Sequence, residues 1–343
     1  MNSAATTNAD SGKAFEMLRA PLHEQEIRKV IGLPGTGERT VDGVARLDDA
    51  SDRCLYFINK RITPEVIESL NQRRGCIVIT PENPSLHSIM KDSVVLEVAD
   101  PRAAIAKVMT FIRAEHRSPP WVKARQIAET ANISPLAVIG DEVEIGDGVT
   151  IEPFCVIDQD VSIRRASIVK SGARINPRVV IGEESVIRSN VVIGADGYGF
   201  VRDEAGNKTR IAHLGGVMIG NHVEIGESSV IEAGTISPTI IEDYAKLAAS
   251  VFVGHNVCIQ RNASVTPGVI IAGSAIIGAD TWIGINSSIR DGRRVGAHAL
   301  VGMDSSVQED LPDNTIARAP VPEIKTRSEN DDHHTIGFAK PYD

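Results

Sequence analysis

Large aliphatic residues in the second half of the chain recur with a period of six. Ile, Val or Leu occupies every sixth position from Ile133 to Ile193, from Ile219 to Ile231 and from Ile241 to Val307. This period matches neither the 3.6 residues of an α-helical turn nor the two-residue alternation of a strand. It is typical of a parallel β-helix, in which three hexapeptides close one triangular coil of about 18 residues.

Glycine follows many of these positions, for example at Gly254 and Gly278. A chain that turns a corner every six residues needs positions without a Cβ atom, where a positive φ or a close backbone approach costs nothing. Stacked coils then pair as parallel strands, and each buried Ile or Val stabilises them by roughly 1.5–3 kcal/mol. A sandwich of short strands, the alternative fold, predicts irregular loops rather than a constant period.

The first part of the chain lacks this period and predicts a small α/β domain. Its pattern indicates helices at 21–31, 64–73 and 101–113, and strands at 44–47, 55–58, 76–79 and 94–98. We therefore predict a disordered leader (1–13), the α/β domain (14–120), a linker (121–132), the β-helix (133–317) and an irregular tail (318–343). The predicted fold class is mainly β, a parallel β-helix with a small N-terminal α/β domain.

Composition argues against several classes of function. The formal net charge of −9 and a pI near 5.5 argue against nucleic acid as a partner. The four cysteines lack the spacing of a metal site or a disulfide framework. No segment has the length and apolarity of a transmembrane segment, and the polar N-terminus does not resemble a signal peptide, so the expected location is the cytoplasm.

The period breaks twice, and a solenoid places its binding loops where its period is interrupted. The first break, between Ile193 and Ile219, contains the sequences GADGYGF and HLGG. The second break adds four residues between Ile231 and Ile241. Breaks of this kind usually line a cleft between subunits.

His255 lies two residues after the repeat position Val253, at a corner of its coil. One coil of about 18 residues further on is Gly273, and the next coil reaches Asp291, so these three residues should stack in one column. A neutral imidazole in a cleft can accept a proton near pH 7, and the N–H group of Gly273 can hold an oxyanion. From the residues alone, a single histidine is more often structural or merely exposed than catalytic.

Five motifs stand out: GADGYGF, HLGGVMIG, VFVGHNVCI around His255, GVIIAGS around Gly273 and YFIN at 56–59. Together they resemble the LpxD family, the UDP-3-O-(3-hydroxyacyl)glucosamine N-acyltransferases of lipid A synthesis, over about residues 30 to 320. It implies that the β-helix is left-handed and that the N-terminal domain binds uridine. It also implies a homotrimer with active sites between its subunits.

The resemblance further implies roles for individual residues. His255 resembles the catalytic base, Gly273 the oxyanion donor, and Tyr56 and Asn59 the ring that stacks on uracil and the amide beside it. The implied reaction is attack by the amine of a UDP-linked amino sugar on a thioester, with a 3-hydroxyacyl group as the expected acyl chain. The donor is a thioester of acyl carrier protein or of coenzyme A, and neither a metal nor a permanently bound cofactor is required.

Two positions depart from the family's pattern. Ala248 stands where the family has an Asp that orients the imidazole, and Gly292 lies where it has a second His. Glu232 and Glu242 are candidates to replace the missing carboxylate. The segment before Pro322 resembles the end of coenzyme A-dependent hexapeptide acetyltransferases rather than the family's closing helices.

The remaining candidate site residues lie along the column or in the breaks. Arg290 and Arg293, beside Asp291, suit the phosphates of coenzyme A or the acidic surface of a carrier protein, and solvated charges at corners explain them equally well. His213 is a candidate donor or substrate contact. Trp282 lines an acyl groove or packs between subunits.

Three functions stay open on this sequence. The LpxD-type N-acyltransferase is the first, and its nearest alternative is a coenzyme A-dependent enzyme acting on another nucleotide-linked amino sugar, of an O-antigen or capsule pathway. The second is a metal-dependent hydratase of the γ-carbonic anhydrase type on the same β-helix, which needs three converging His ligands. The third is a non-catalytic paralogue, which the substitutions at Ala248 and Gly292 favour.

Overall fold

The structure is a computed structural model that describes residues 17–47, 51–58, 63–82, 92–115, 126–202 and 205–321. Within these ranges the N-terminal part is a sheet in the order β1-β2-β3-β4-β5, flanked by helices, with β1 antiparallel to β2 and the other pairs parallel. The elements are β1 (Met17–His23), α1 (Glu24–Ile31), β2 (Thr40–Val44), β3 (Cys54–Phe57), α2 (Pro64–Asn71), β4 (Ile77–Thr80), β5 (Val94–Glu97) and α3 (Pro101–Glu115).

The start of this domain differs from the sequence prediction. Residues 21–23 belong to strand β1, so the helix that was predicted to open at Pro21 begins at Glu24. Leu22 is fully buried opposite Val41, which keeps the segment in the sheet. Strand β2 likewise ends at Val44, where the predicted strand began. Hydrophobic burial against the neighbouring strand therefore overrides the local helix signal.

The rest of the described chain coils into a parallel β-helix with three faces and a small hairpin. The first face contains β6 (Gln126–Ile127), β9 (Glu144–Ile145), β12 (Val161–Ile163), β15 (Val179–Ile181), β20 (Val217–Ile219), β23 (Thr239–Ile241), β26 (Cys258–Ile259), β29 (Ile276–Ile277) and β32 (Arg294–Val295). The second contains β7 (Asn132–Ile133), β10 (Thr150–Ile151), β13 (Ile168–Val169), β16 (Val186–Ile187), β21 (Glu224–Ile225), β24 (Lys246–Leu247), β27 (Ser264–Val265), β30 (Trp282–Ile283), β33 (Leu300–Val301) and β35 (Ile316–Ala317). The third contains β8 (Val138–Ile139), β11 (Val156–Ile157), β14 (Arg174–Ile175), β17 (Val192–Ala195), β22 (Val230–Glu232), β25 (Phe252–Val253), β28 (Ile270–Ile271), β31 (Ser288–Ile289) and β34 (Ser306–Val307), and the hairpin is β18 (Phe200–Arg202) with β19 (Lys208–Arg210).

The predicted fold class is confirmed, and the repeat residues fill the interior of the coils as one continuous core. The period begins one hexapeptide earlier than predicted, because β6 contains Ile127, six residues before Ile133, and pairs with β9. Residues 126–132 therefore belong to the first coil and not to the predicted linker. No helix in the described ranges is long and apolar enough to cross a membrane.

The glycines that follow the repeat positions serve close approach more than positive φ. A Cβ atom on Gly254 would lie 2.7 Å from the backbone nitrogen of Gly273 in the next coil. The positive φ falls two residues later, at Asn256 with φ 59°. Asn tolerates this left-handed conformation better than most residues, so the corner is turned by Asn256 while Gly254 lets the coils stack.

Replacing a repeat residue should destabilise the β-helix far more than replacing its outward neighbour. We expect Ile157→Ala to lower the free energy of unfolding by about 2–5 kcal/mol, because the Ile157 side chain is 0% exposed. The control Val138→Ala truncates a side chain on the same face that is 60% exposed, and should change it by less than about 0.5 kcal/mol. Urea denaturation followed by circular dichroism measures both, and equal losses would contradict the inward and outward assignment.

Candidate active site

The two breaks in the period meet at one corner of the β-helix. The N–H of Leu214 donates to the carbonyl oxygen of Thr235 at 2.8 Å, and the N–H of Gly215 donates to that of Gly234 at 2.9 Å. Leu214 and Gly215 belong to the first break, and Gly234 and Thr235 to the second. Backbone hydrogen bonds thus join two excursions that are separate in sequence, beside the coil that carries His255.

The column predicted from the period is present. Val253 pairs with Ile271, and Ile271 with Ile289, which stacks the three corners that follow them. A Cβ atom on Gly273 would lie 2.7 Å from Nε2 of His255, so the imidazole lies directly against Gly273. The N–H of Gly273 donates to none of the described residues, which leaves one backbone donor beside the ring.

A second histidine from the first break lies beside His255. The ring centroids of His213 and His255 are 5.2 Å apart, and His213 is only 6% exposed. Gly197, in the GADGYGF segment, fits between them. A Cβ atom there would lie 2.5 Å from Nε2 of His213 and 2.9 Å from Cβ of His255, so a larger residue at this position would displace at least one ring.

Each ring makes one hydrogen bond through Nδ1. The Nδ1 atom of His213 lies 3.1 Å from the carbonyl oxygen of Ile211. The Nδ1 atom of His255 lies 2.9 Å from Nδ2 of Asn256. The amide of Asn256 is itself fixed by Thr235, whose N–H donates to Oδ1 at 2.7 Å and whose Oγ1 accepts from Nδ2 at 3.1 Å. Both Nε2 atoms lack a hydrogen-bond partner among the described residues.

The GADGYGF segment is fixed at two consecutive residues. Arg113 of α3 donates to both carboxylate oxygens of Asp196, at 2.8 and 2.7 Å, and Arg210 donates to the carbonyl oxygen of Gly197 at 2.8 Å. Arg113 also donates to the carbonyl oxygen of His213 at 3.1 Å, so the N-terminal domain positions part of the site.

Neither candidate replacement for the missing carboxylate contacts the imidazole of His255. Glu232 is buried, and its Oε2 accepts from the backbone N–H of His255 at 3.0 Å. Burial raises the pKa of this carboxyl. Glu242 accepts from the backbone N–H of Arg261 in the next coil. The side-chain partner of the ring is Asn256, a residue that the sequence analysis did not single out.

Burial makes the charged form of both histidines unfavourable. Desolvation, together with the neighbouring His255, lowers the pKa of His213 to about 4. Desolvation also lowers the pKa of His255 from its usual value of 6.5. Both rings are therefore neutral near pH 7, the form in which an imidazole can either accept or donate a proton.

The histidines open onto a cleft of about 380 Å³. Helix α3 contributes Arg102 to its lining, and the first break contributes Tyr198, Phe200 and Lys208. The Tyr198 ring is 76% exposed and meets Phe200 edge-to-face at 5.1 Å between centroids. The cleft thus combines two cationic side chains, exposed aromatic surface and the neutral histidine pair.

Tyr56 does not lie in this cleft, and its predicted contact with uracil stays a prediction. The residue is 0% exposed, and its hydroxyl donates to the carbonyl oxygen of Ser51 at 2.6 Å. The guanidinium of Arg73 lies 4.5 Å above the ring centroid and covers one face. The inward alternation of β3 packs Tyr56 into the domain core. Asn59 lies outside the described residues.

The other candidate residues are spread over different surfaces. Asp291 is exposed at its corner, 3.9 Å from Arg290, while Arg293 lies 3.6 Å from Asp310, so neither arginine is an isolated cation. Trp282 is 51% exposed on the second face. The corner that carries His255 joins the third face to the first, so Trp282 lies opposite it and cannot line the same groove within one chain.

The residues that sequence reasoning missed act through position rather than through reactive chemistry. Asn256 directly follows His255, and Gly197 stands inside a motif that had been noted, so both had a local signal. Arg113 had none, because its partner Asp196 is 83 residues away in sequence. In the described ranges, no group of three or more His, Cys, Asp or Glu residues is arranged to hold a metal ion.

Comparison with known proteins identifies the chain. No family model matches it. It is 32% identical over 280 residues to UDP-3-O-acylglucosamine N-acyltransferase 2 of Legionella pneumophila (strain Paris), covering 77% of this chain and 78% of that protein. It is 32% identical over 241 residues to UDP-3-O-acylglucosamine N-acyltransferase of Delftia acidovorans, covering 70% and 68%. A solved structure of UDP-N-acetylglucosamine acyltransferase from Francisella novicida is 25% identical, with a TM-score of 0.46 over 57% of this chain and 66% of that one.

The protein is thus an acyltransferase built on a hexapeptide β-helix. It belongs to the UDP-3-O-acylglucosamine N-acyltransferase (LpxD) family, as the similarity over more than two thirds of its length shows.

Protonation of the buried His213 should make the fold sensitive to acid. Its pKa is about 4 in the folded protein and near 6.5 when unfolded, so the unfolded state binds more protons between these values. The free energy of unfolding should therefore fall as the pH is lowered through this window, by up to about 1.4 kcal/mol per pH unit from this group. Urea denaturation between pH 4 and 7.5 should show a shallower fall for His213→Gln. His298→Gln, outside the cleft, is the control, and identical curves for both variants would contradict the burial of His213.

Proposed function

We propose that this protein transfers an acyl group from a thioester to the amine of a UDP-linked amino sugar, as in lipid A synthesis. The names of its relatives give the acceptor class, an acylated UDP-glucosamine. A 3-hydroxyacyl group is the proposed acyl chain, carried by acyl carrier protein or by coenzyme A. No permanently bound cofactor takes part in the proposed reaction.

One observation carries the proposal more than any other. The imidazole of His255 lies against Gly273, whose N–H has no partner among the described residues, at the edge of an open cleft. Acyl transfer needs a donor for the oxyanion and a group that takes the proton of the amine, within reach of one carbon atom. In the proposed reaction Gly273 supplies the first, and a histidine of the cleft, for which the sequence nominates His255, supplies the second.

The charges around the cleft suit an anionic acceptor. Arg102 and Lys208 both line it, one from the N-terminal domain and one from the hairpin. Two cations with an exposed ring such as Tyr198 can bind the diphosphate and the base of a nucleotide sugar. This supports placing the UDP moiety at the mouth of the cleft, with the amine directed towards the histidines.

The assembly and location belong to the same proposal. On the second face Trp282, Leu300 and Ile316 are consecutive outward residues, 51%, 38% and 62% exposed. An apolar strip of this kind suits contact between subunits. We accordingly place Trp282 in a subunit contact of a cytoplasmic homotrimer.

A matrix of donors and acceptors tests the reaction. The donors are 3-hydroxyacyl carrier protein, 3-hydroxyacyl coenzyme A and acetyl coenzyme A, each with 3-O-acylated UDP-glucosamine and with simpler UDP-amino sugars. We expect amide formation, measured by mass spectrometry, with a 3-hydroxyacyl thioester and the acylated acceptor. Turnover restricted to acetyl coenzyme A and a simple UDP-amino sugar would instead assign the enzyme to another sugar pathway.

Removing the imidazole of His255 should abolish most of the activity without unfolding the protein. We expect His255→Ala to lower kcat by about 10²- to 10⁴-fold, the range for a positioned general acid or base. Thermal denaturation should show a folded variant. His222→Ala, a partly exposed site on another corner, is the matched control and should keep the wild-type kcat. Unaltered turnover in His255→Ala would favour a role for the cleft other than acyl transfer.

A further inference from the structure

Helix α3 of the N-terminal domain reaches the histidine corner through the side chain of Arg113. We propose that Arg113 is a positioning residue for acyl transfer, which holds the backbone of His213 and Gly197 in place against the imidazole of His255. In this role Arg113 acts through these two segments and touches no reacting atom. The inference rests on the proposed acyl transfer with His255 as its base, and it gives the N-terminal domain a part in the chemical step.

The guanidinium of Arg113 joins two segments of the first break to helix α3. Its Nη1 and Nη2 atoms donate to the two carboxylate oxygens of Asp196 at 2.8 and 2.7 Å. Nη2 also donates to the carbonyl oxygen of His213 at 3.1 Å. Two parallel hydrogen bonds to a carboxylate fix the orientation of the planar guanidinium. One side chain therefore sets the distance of both segments from the helix.

This ion pair contributes more through its geometry than through its strength. The side chains of Arg113 and Asp196 are 37% and 32% exposed, and ion pairs in contact with solvent add little to stability. Burial of Ala212 and Leu214 in the core of the N-terminal domain already joins the two domains. Removing the pair should therefore leave the protein folded and change mainly the position of the segments that it holds.

The segment around His213 is anchored to the N-terminal domain on both sides. Ala212 and Leu214 pack into the core of that domain, next to Leu18 and Ile112 among others. The ring of His213 instead lies beside His255, with 5.2 Å between the ring centroids. Because both neighbours and the carbonyl group of His213 are held from the N-terminal domain, that domain sets the position of the ring.

The packing at the corner leaves no room for a shift of these segments. Gly197 directly follows Asp196, and a Cβ atom on it would lie 2.5 Å from Nε2 of His213 and 2.9 Å from Cβ and Cδ2 of His255. The backbone of Gly197 thus lies against both rings, and His213 supports the corner without taking a proton. A displacement of a catalytic group by about 1 Å can lower the rate by about 100-fold.

Other charged contacts hold the corner from within the β-helix. Arg210 donates to the carbonyl oxygen of Gly197 at 2.8 Å, and Glu232 accepts from the backbone N–H of His255 at 3.0 Å. Arg113 adds a contact from the other domain. Its loss should therefore leave the column of the β-helix intact and release only the side of the corner that faces helix α3.

Kinetics of the full-length protein separate positioning from substrate binding. We expect Arg113→Met to lower kcat by about 10- to 100-fold. The KM for the UDP-amino sugar should change by less than about 3-fold, because Arg113 does not contact it. Arg102→Met, in the lining of the cleft on the same helix, should instead raise this KM and leave kcat nearly unchanged. Lys107→Ala, at an exposed position of α3, is the control and should keep both wild-type values.

Two kinetic results would overturn the proposal. One is a wild-type kcat in an Arg113→Met variant that thermal denaturation shows to be folded. The other is a wild-type kcat in Arg113→Lys, which keeps the charge but cannot make two parallel hydrogen bonds to the carboxylate. We expect the kcat of Arg113→Lys to lie between those of Arg113→Met and the wild-type protein.

The position of His213 can also be measured without turnover. Burial, His255 and Arg113 keep its pKa at about 4, and Asp196 opposes them. The double variant Arg113→Met/Asp196→Asn removes one charge of each sign, so charge alone predicts no shift. Loss of position lets water reach the ring, which should raise the pKa towards its usual value of 6.5. NMR titration of the histidine ring signals, assigned with His213→Gln, measures this pKa, and an unchanged titration in the double variant would contradict the proposal.

The two kinds of measurement keep this inference separate from the proposed function. Absence of acyl transfer by the wild-type protein with every donor would reject the proposed function, and the titration would still decide whether the ion pair positions His213. If acyl transfer occurs while Arg113→Met keeps the wild-type kcat, the positioning role is rejected and acyl transfer stands.

Discussion

The register between successive coils is the constraint on which the rest of the structure depends. Each repeat residue pairs with its counterpart one coil away, and the backbone hydrogen bonds between coils leave little freedom to slide. A one-residue slip would turn the buried Ile and Val side chains outward. The same register brings His255 and Gly273 together, so the position of the site follows from core packing rather than from a flexible loop.

The breaks matter because they supply what a uniform solenoid lacks. Three flat faces with repeated corners offer no enclosed space. The two breaks in the period, joined by backbone hydrogen bonds, cover one of these corners. These excursions place His213 beside the column and bury both imidazoles enough to keep them neutral. The hydrogen-bond partners of the rings, one a carbonyl and the other an amide, then make two chemically identical side chains unequal.

The sequence predicted the β-helix, the column and the breaks because each depends on spacing along the chain. It did not predict the role of Asn256. Whether this amide presents its oxygen or its nitrogen to the imidazole depends on Thr235, which lies in the second break. It did not predict the burial of Tyr56, because a short buried strand and a ligand-binding strand have the same residue pattern. The start of α1 was misplaced for a similar reason, since Leu22 is held in β1 by its burial opposite Val41.

The ion pair between Arg113 and Asp196 has a thermodynamic consequence for the whole chain. It joins helix α3 of the N-terminal domain to the first break of the β-helix, so that the cleft lies between the two domains. A ligand that contacts both domains binds most tightly when the domains are in contact with each other. By linkage, its binding must stabilise this contact between the domains to the same extent. The free energy that couples substrate binding to domain docking therefore has the same value whichever of the two is measured.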